Sequence, residues 1–231
     1  MRGRDSDSRR EKRRPGIGDR RHPRGLRMPD HIALRAIDQR WSLAVDPGVA
    51  QPPRAIEREN HTLELCGRMS HDLAWQPPLR QWVMSKGRAH LTPWLERLAA
   101  SHDVRFARVR IGCQRTRWGS YSTRGTVSLN AGLLFLPHEL VRYVLLHELC
   151  HVAVPCHSAQ FWALLEEREP EARRLRRTLR EAHPLVPAWL YIPPRRVGPL
   201  PPGGCATRVE DTVAARRAAC RSSGSAPCGT P

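Results

Sequence analysis

Five consecutive residues, His147-Glu148-Leu149-Cys150-His151, stand in the middle of an apolar run and constrain the fold of this chain more than any other feature. Two histidines four positions apart lie on one face of a helix, with Cβ atoms about 6 Å apart, so both rings can reach one ion. The residues at 140–146 are mostly apolar, which predicts a buried helix. A divalent cation would offset the cost of burying two imidazoles and a carboxylate. The alternative is a core helix with two hydrogen-bonded histidines.

A third ligand is expected, because catalytic zinc usually takes three protein ligands and keeps one position open. His157 follows His151 by six residues, and Pro155 between them should end the helix and turn the chain back toward the ion. Cys156 is the alternative donor, since a thiolate binds zinc tightly. Cys150 points about 100° away from His151 on a helix and is predicted to be a small buried residue.

Glu148 is the predicted catalytic residue, because a carboxylate beside two metal-binding histidines can take a proton from an activated water and pass it to the leaving group. The oxyanion formed in such a reaction needs a further donor besides the metal. Tyr143 and Arg117 are candidates, although a core tyrosine and a solvated arginine are their ordinary roles. Trp118 and the Phe161-Trp162 pair are predicted to be packing residues.

Hydrophobic periodicity predicts the elements around this helix. The metal-binding helix should begin at Pro137, which can occupy an early helical position at no cost. The other predicted elements are one or two helices over residues 79–101 with a break at Pro93, strands at 104–111 and 126–129 paired as an antiparallel hairpin, and a helix over 158–179 interrupted near Pro170.

Four motifs stand in order along the chain: Arg117-Trp118-Gly119-Ser120, Thr126-Val127-Ser128-Leu129-Asn130, Tyr143 to His151, and His157-Ser158-Ala159-Gln160-Phe161-Trp162. In their order and spacing they resemble those of the YgjP-like metallopeptidases, relatives of the SprT-like zincins. The resemblance covers about residues 79–191 and implies an α+β, zincin-like minimal metallopeptidase domain with a small antiparallel sheet, an HExxH helix and a C-terminal helix. It also implies that His147, His151 and His157 bind the metal and that Glu148 is catalytic.

Composition divides the chain around this domain. Residues 1–27 hold eleven basic and four acidic residues without an apolar run, which predicts a disordered extension. Residues 28–78 are less well defined, with short strands predicted near 41–45 and 62–65. Residues 192–231 are rich in Pro, Gly and Arg, which predicts a flexible tail. Met28 is a candidate for an alternative start of translation.

The net charge of +17 lies largely in these end segments, and arginine outnumbers lysine 37 to 2. Weak nucleic-acid contact through the basic tails is therefore one expected interaction. A run of arginines near residue 176 is interpreted as a solvated helix face, with nucleic-acid contact as the alternative. Its members are Arg173, Arg174, Arg176, Arg177 and Arg180.

Seven scattered cysteines without a CxxC pair do not resemble a disulfide framework, and no secretory or membrane-spanning segment is recognised. A cytoplasmic location with no membrane partner is expected. The leading functional hypothesis is a zinc-dependent hydrolase of the metallopeptidase type that acts on a protein or peptide. The alternatives are a nucleotide phosphoanhydride hydrolase that uses the same site and a non-catalytic zinc-stabilised module that binds nucleic acid.

Overall fold

Four α-helices, four short 3₁₀ helices and two small sheets form the described part of this computed structural model, residues 26–46, 51–69 and 73–193. The mixture confirms the predicted α+β class. The basic extension predicted over 1–27 and the tail predicted over 192–231 fall almost entirely outside the described residues, so both remain predictions. Among the described residues, every helix is too short or too polar to cross a lipid bilayer.

The N-terminal sheet has four strands in the order β1-β2-β4-β3. Strands β2 and β4 coincide with the two short strands predicted from the sequence, and they pair in parallel. Alternate residues such as Ile32, Leu34, Trp41, Leu63 and Leu65 are buried, so one face of this sheet closes over the core. The strands are β1 (His31–Leu34), β2 (Gln39–Asp46), β3 (Arg54–Arg58) and β4 (Thr62–Cys66).

A single helix, α1 (Gln76–Ser101), follows this sheet and corrects the prediction of a break at Pro93. Proline removes one helical hydrogen bond and crowds the preceding turn. Here Leu91, Trp94 and Leu95 on both sides of it are buried in the core, and the Trp94 ring stacks on His138 with ring centroids 4.2 Å apart. Tertiary packing therefore outweighs the lost hydrogen bond and holds the two halves in one helix.

The second sheet contains β5 (Arg108–Gly112), β6 (Gly119–Ser122) and β7 (Thr126–Asn130), in the order β5-β7-β6. The sequence predicted that β5 and β7 form an antiparallel hairpin. That prediction is wrong, because β5 pairs with β7 in parallel. Strand β6 is the antiparallel partner of β7 instead. Gly125, at a φ of 73°, closes the tight turn that folds β7 back on β6, which leaves the other edge of β7 to β5. The predicted strand at 104–111 also begins later, at Arg108.

Asn130, at the end of β7, fixes the loop that leads into β6. Its fully buried side chain donates to the carbonyl oxygens of Gln114 and Arg117, at 2.5 and 3.0 Å, and accepts from the backbone N–H of Gly132 at 2.9 Å. Because one amide satisfies two acceptors and one donor, it determines where the chain enters β6.

Asn130→Asp is expected to destabilise the protein by about 2–4 kcal/mol, since a carboxylate would face two buried carbonyl oxygens without a proton to donate. Thermal unfolding should show a midpoint lowered by roughly 5–10 °C. Asn60→Asp makes the same change at an exposed turn and is the matched control. Equal midpoints for the two variants would refute the structural role of Asn130.

Three α-helices follow the second sheet, and their bounds confirm the sequence predictions for this region. Helix α2 (His138–Ala153) begins directly after Pro137 and ends before Pro155. Helices α3 (Ala159–Arg168) and α4 (Ala172–Arg180) are separated at Pro170. Helix α2 is buried along most of its surface and packs against β6, α1, α3 and α4, so the HExxH residues lie at the centre of the fold.

Candidate metal centre and cleft

Helix α2 and the loop after it bring the three predicted histidines together. His147 and His151 lie one turn apart on α2, and the chain leaves the helix at Val154 so that His157 returns to them. Each histidine contributes one ring nitrogen, and these three nitrogen atoms all lie within 4.8 Å of one another. The Nε2 atoms of His147 and His157 are 3.0 Å apart. The ring of His151 is oriented by its Nδ1, which lies 3.2 Å from the carbonyl oxygen of Val154.

The two cysteines of this region lie outside the histidine cluster. Cys150 is fully buried on α2, as predicted, and its Sγ atom is 3.7 Å from a guanidinium nitrogen of Arg168. Cys156 is exposed beside His157 and does not join the cluster of donor atoms described above. The geometry therefore favours His157 over Cys156 as the third donor.

Phe161 packs the ligand loop against α2, the role predicted for it. This fully buried ring has its centroid between 4.5 and 4.9 Å from those of all three histidines. Trp162 is only half-buried and stacks on His157 with an interplanar angle of 24°. The guanidinium carbon of Arg176 lies 4.1 Å from the centroid of the Trp162 ring. The third histidine, although exposed, is thus held by a stack of planar groups.

Burial sets the protonation of these groups. It lowers the pKa of His147 to about 3, because a charged ring there would be cut off from water and would also face the neighbouring imidazoles, and it lowers the pKa of His151. These two rings are therefore neutral at neutral pH, the form that binds metals. The buried Nδ1 of His147 has no hydrogen-bond partner among the described residues. Converging neutral imidazoles fit a divalent cation of the kind that histidine prefers.

Glu148 is buried beside this cluster with its Oε2 atom unpaired in the described part of the chain. Burial raises the pKa of Glu148 to about 8, and the charge of Arg117 opposes that shift. A neighbouring cation would favour the ionised form. The carboxyl group is thus placed where its charge depends on what occupies the histidine site.

Gly119 belongs to one of the four sequence motifs, but no role could be predicted for it from the sequence. A Cβ atom built on Gly119 would lie 2.5 Å from Oε1 of Glu148, and within 2.8 Å of two of its carbons. The close approach lets β6 run directly alongside the carboxyl group. Only the tertiary structure gives this role, because the two residues are far apart in the sequence.

Gly119→Ala is expected to lower the kcat of the hydrolysis that the sequence predicts by about 10- to 100-fold. The added methyl group would displace the Glu148 carboxyl group by a fraction of an ångström or more. Metal content should stay at the wild-type level, since no histidine is touched. Gly112→Ala, in β5 of the same sheet, is the control because a Cβ there meets nothing within 4 Å. A Gly119→Ala protein with wild-type kcat would contradict the contact.

The histidine cluster opens into a cleft of about 720 Å³ between β6 and α4. Trp118 and Gly119 line one side, while Leu179 and two arginines of α4 line the other. Trp118 is nearly buried and stacks on His183, with ring centroids 4.5 Å apart. It therefore packs, as predicted, and also forms part of the wall.

The two candidate oxyanion donors lie in different places. Tyr143 is buried one turn before His147 and lines the cleft, and burial raises the pKa of its hydroxyl group. Arg117 is exposed and does not line the cleft, although its charge acts on Glu148. Of the two, Tyr143 is the one that a molecule in the cleft would meet.

A family model described as the YgjP-like metallopeptidase domain matches residues 9–182, which is 174 of the 231 residues. The chain belongs to this family. It is thus a metal-dependent hydrolase of the peptidase type, as the sequence resemblance predicted. The YgjP-like match begins well before residue 79, so the N-terminal sheet lies within the matched region.

Two solved metallopeptidase zymogens are similar to parts of this YgjP-like chain. Abylysin of Pyrococcus abyssi is 28% identical over 38% of this chain and 89% of its own, with a TM-score of 0.35. Jannalysin of Methanocaldococcus jannaschii is 20% identical over 38% of this chain and 90% of its own, with a TM-score of 0.34. No curated protein matches the sequence.

Proposed function

We propose that the chain is a zinc-dependent peptidase in which His147, His151 and His157 hold the ion and Glu148 is the general base. The observation that carries this proposal is the convergence of three imidazole nitrogens beside one buried carboxyl group. Three nitrogen ligands leave a fourth position for water or substrate, which is the pattern of catalytic zinc rather than of structural zinc.

When bound, zinc supplies a Lewis acid for the scissile carbonyl and for water, and its charge opposes the burial that raises the pKa of Glu148. Glu148 takes the proton of the attacking water on its unpaired oxygen and delivers it to the departing amine. Tyr143, in the cleft wall, is the proposed donor to the oxyanion.

Strand β6 is the proposed guide for the substrate backbone. It is one of the two edge strands of its sheet, paired with β7 on one side, and its residue Gly119 lines the cleft next to Glu148. An extended peptide that pairs with the free side of such a strand is held along the cleft with a carbonyl near the metal. This arrangement favours a protein or peptide in an extended conformation as the substrate.

A second candidate function, hydrolysis of a nucleotide phosphoanhydride, is favoured by one observation. Arg176 and Arg180 both line the cleft, and guanidinium groups bind phosphates well. The same Lewis acid and general base could act on a phosphoryl group. The strand edge beside Glu148 has no evident use in that reaction, which is why we prefer the peptide substrate.

Zinc-loaded protein should be assayed with denatured casein and with nucleoside triphosphates under identical conditions. We expect new peptide termini in casein, identified by mass spectrometry, and no phosphate release above that of the Glu148→Gln protein. Hydrolysis of triphosphates alone would replace the peptidase proposal with the phosphoanhydride one. Failure to hydrolyse either, with zinc bound, would favour the non-catalytic module.

A further inference from the structure

The arginines of α4 are not equivalent, although the sequence pattern suggested one solvated face. Arg173 and Arg174 form ion pairs with Glu166 and Glu171, at 2.7 and 2.6 Å. Arg176, Arg177 and Arg180 form no ion pair with any residue that the structure describes. The charges of those three arginines therefore remain available to a ligand.

Two of these unpaired arginines face the reaction site. Arg176 and Arg180 are one helical turn apart, line the cleft, and lie close enough to Tyr143 for their charges to oppose the burial that raises the pKa of its hydroxyl group. Glu148 is the only carboxylate among the residues that line this cleft in the described chain. Two like charges one turn apart repel each other, by about 0.2–0.5 kcal/mol on an exposed helix. A bound anion would relieve that repulsion.

Arg176 is also held in place. Its guanidinium group lies over the Trp162 ring, which in turn stacks on His157, so its position is coupled to the third histidine. A planar guanidinium fixed in this way loses less conformational freedom when it binds a carboxylate. Leu179, between the two arginines in sequence, adds an apolar contact to the same wall.

We propose that Arg176 and Arg180 form a carboxylate-binding subsite that makes the enzyme prefer peptides with an acidic group beside the scissile bond. The inference rests on the proposed peptidase function and names its substrate class. The carboxylate is that of an aspartate or glutamate side chain, or the free C-terminus of a short peptide. Charge-assisted hydrogen bonds from arginine to carboxylate are strong enough to raise kcat/KM about tenfold or more.

Matched quenched fluorescent peptides test this inference. A peptide that the zinc-loaded protein cuts is synthesised with Glu or Gln at each of the three positions on either side of the scissile bond, and each is assayed for kcat/KM. Short versions that end in a free acid or in an amide distinguish a C-terminal carboxylate from a side chain. We expect at least one position, or the free terminus, to favour the acid about tenfold.

Arg180→Gln should reduce that preference to less than about threefold, and Arg180→Glu should reverse it in favour of a Lys peptide. Arg177→Gln is the matched control, because Arg177 is exposed on the same helix, unpaired within the described residues and outside the cleft. It should keep the full preference.

Peptide cleavage without any preference for acid in the wild-type protein would overturn the subsite and leave the peptidase function intact. Preference that survives in both Arg180 variants would also overturn it. Absence of peptide cleavage by the zinc-loaded protein, with or without nucleotide hydrolysis, would overturn the subsite together with the proposed function.

Discussion

Glu148→Gln is expected to lower kcat for peptide cleavage by about 10²–10⁴-fold, the contribution that a positioned general base usually makes. The amide has nearly the same shape, so it fits against Gly119 as the carboxyl group does, but it cannot accept the proton of the attacking water. Because the histidines are unchanged, the variant should still bind one zinc ion per chain. Steady-state kinetics and elemental analysis of the same sample measure both quantities.

The control for this variant is Glu139→Gln, which changes an exposed glutamate in the first turn of the same helix. It should keep wild-type kcat, which would show that the loss does not arise from a change of charge on α2. Cleavage by the Glu148→Gln protein within a few-fold of wild type would refute the general-base role.

His157→Ala is expected to weaken zinc binding by more than about 100-fold and to abolish turnover at limiting zinc. Loss of a residue that merely orients a ligand typically costs about 10–100-fold in metal affinity, and loss of a ligand should cost more. The fold should survive, since His157 is exposed and Phe161 still packs on the other two histidines. Competition with a chromogenic chelator measures the zinc affinity.

Cys156→Ala is the matched variant one residue earlier in the same loop. It should bind zinc and turn over as the wild-type protein does, because Cys156 lies outside the histidine cluster. The reverse pattern, with zinc lost in Cys156→Ala and retained in His157→Ala, would assign the third ligand to the thiolate.

Much of the candidate centre could be predicted because its determinants are local. The spacing of His147 and His151 fixes their common face, and Pro155 fixes the end of α2. The exposed position of Cys156 and the return of His157 then follow from a loop of only a few residues. Over such short stretches of chain, helix geometry and the position of proline determine the structure, and both can be read directly from the sequence.

The errors concern contacts between distant segments. The pairing of β5 with β7 depended on an unrecognised strand, β6, whose polar sequence lacks the alternation of a half-buried strand. The break expected at Pro93 did not occur because buried neighbours on both sides outweigh the local preference. The contact of Gly119 with Glu148 and the entry of Arg180 into the cleft have no local signal at all. Hydrophobic periodicity reports burial, and it does not report which segments meet.

X-ray absorption at the zinc edge of the loaded protein tests the central claim most directly, because it identifies the donor atoms of the bound ion. With His147, His151 and His157 as ligands, we predict three imidazole nitrogens and one further light atom, with zinc–nitrogen distances of about 2.0–2.1 Å. A sulfur scatterer at about 2.3 Å, or a first shell without multiple imidazoles, would contradict the three-histidine site.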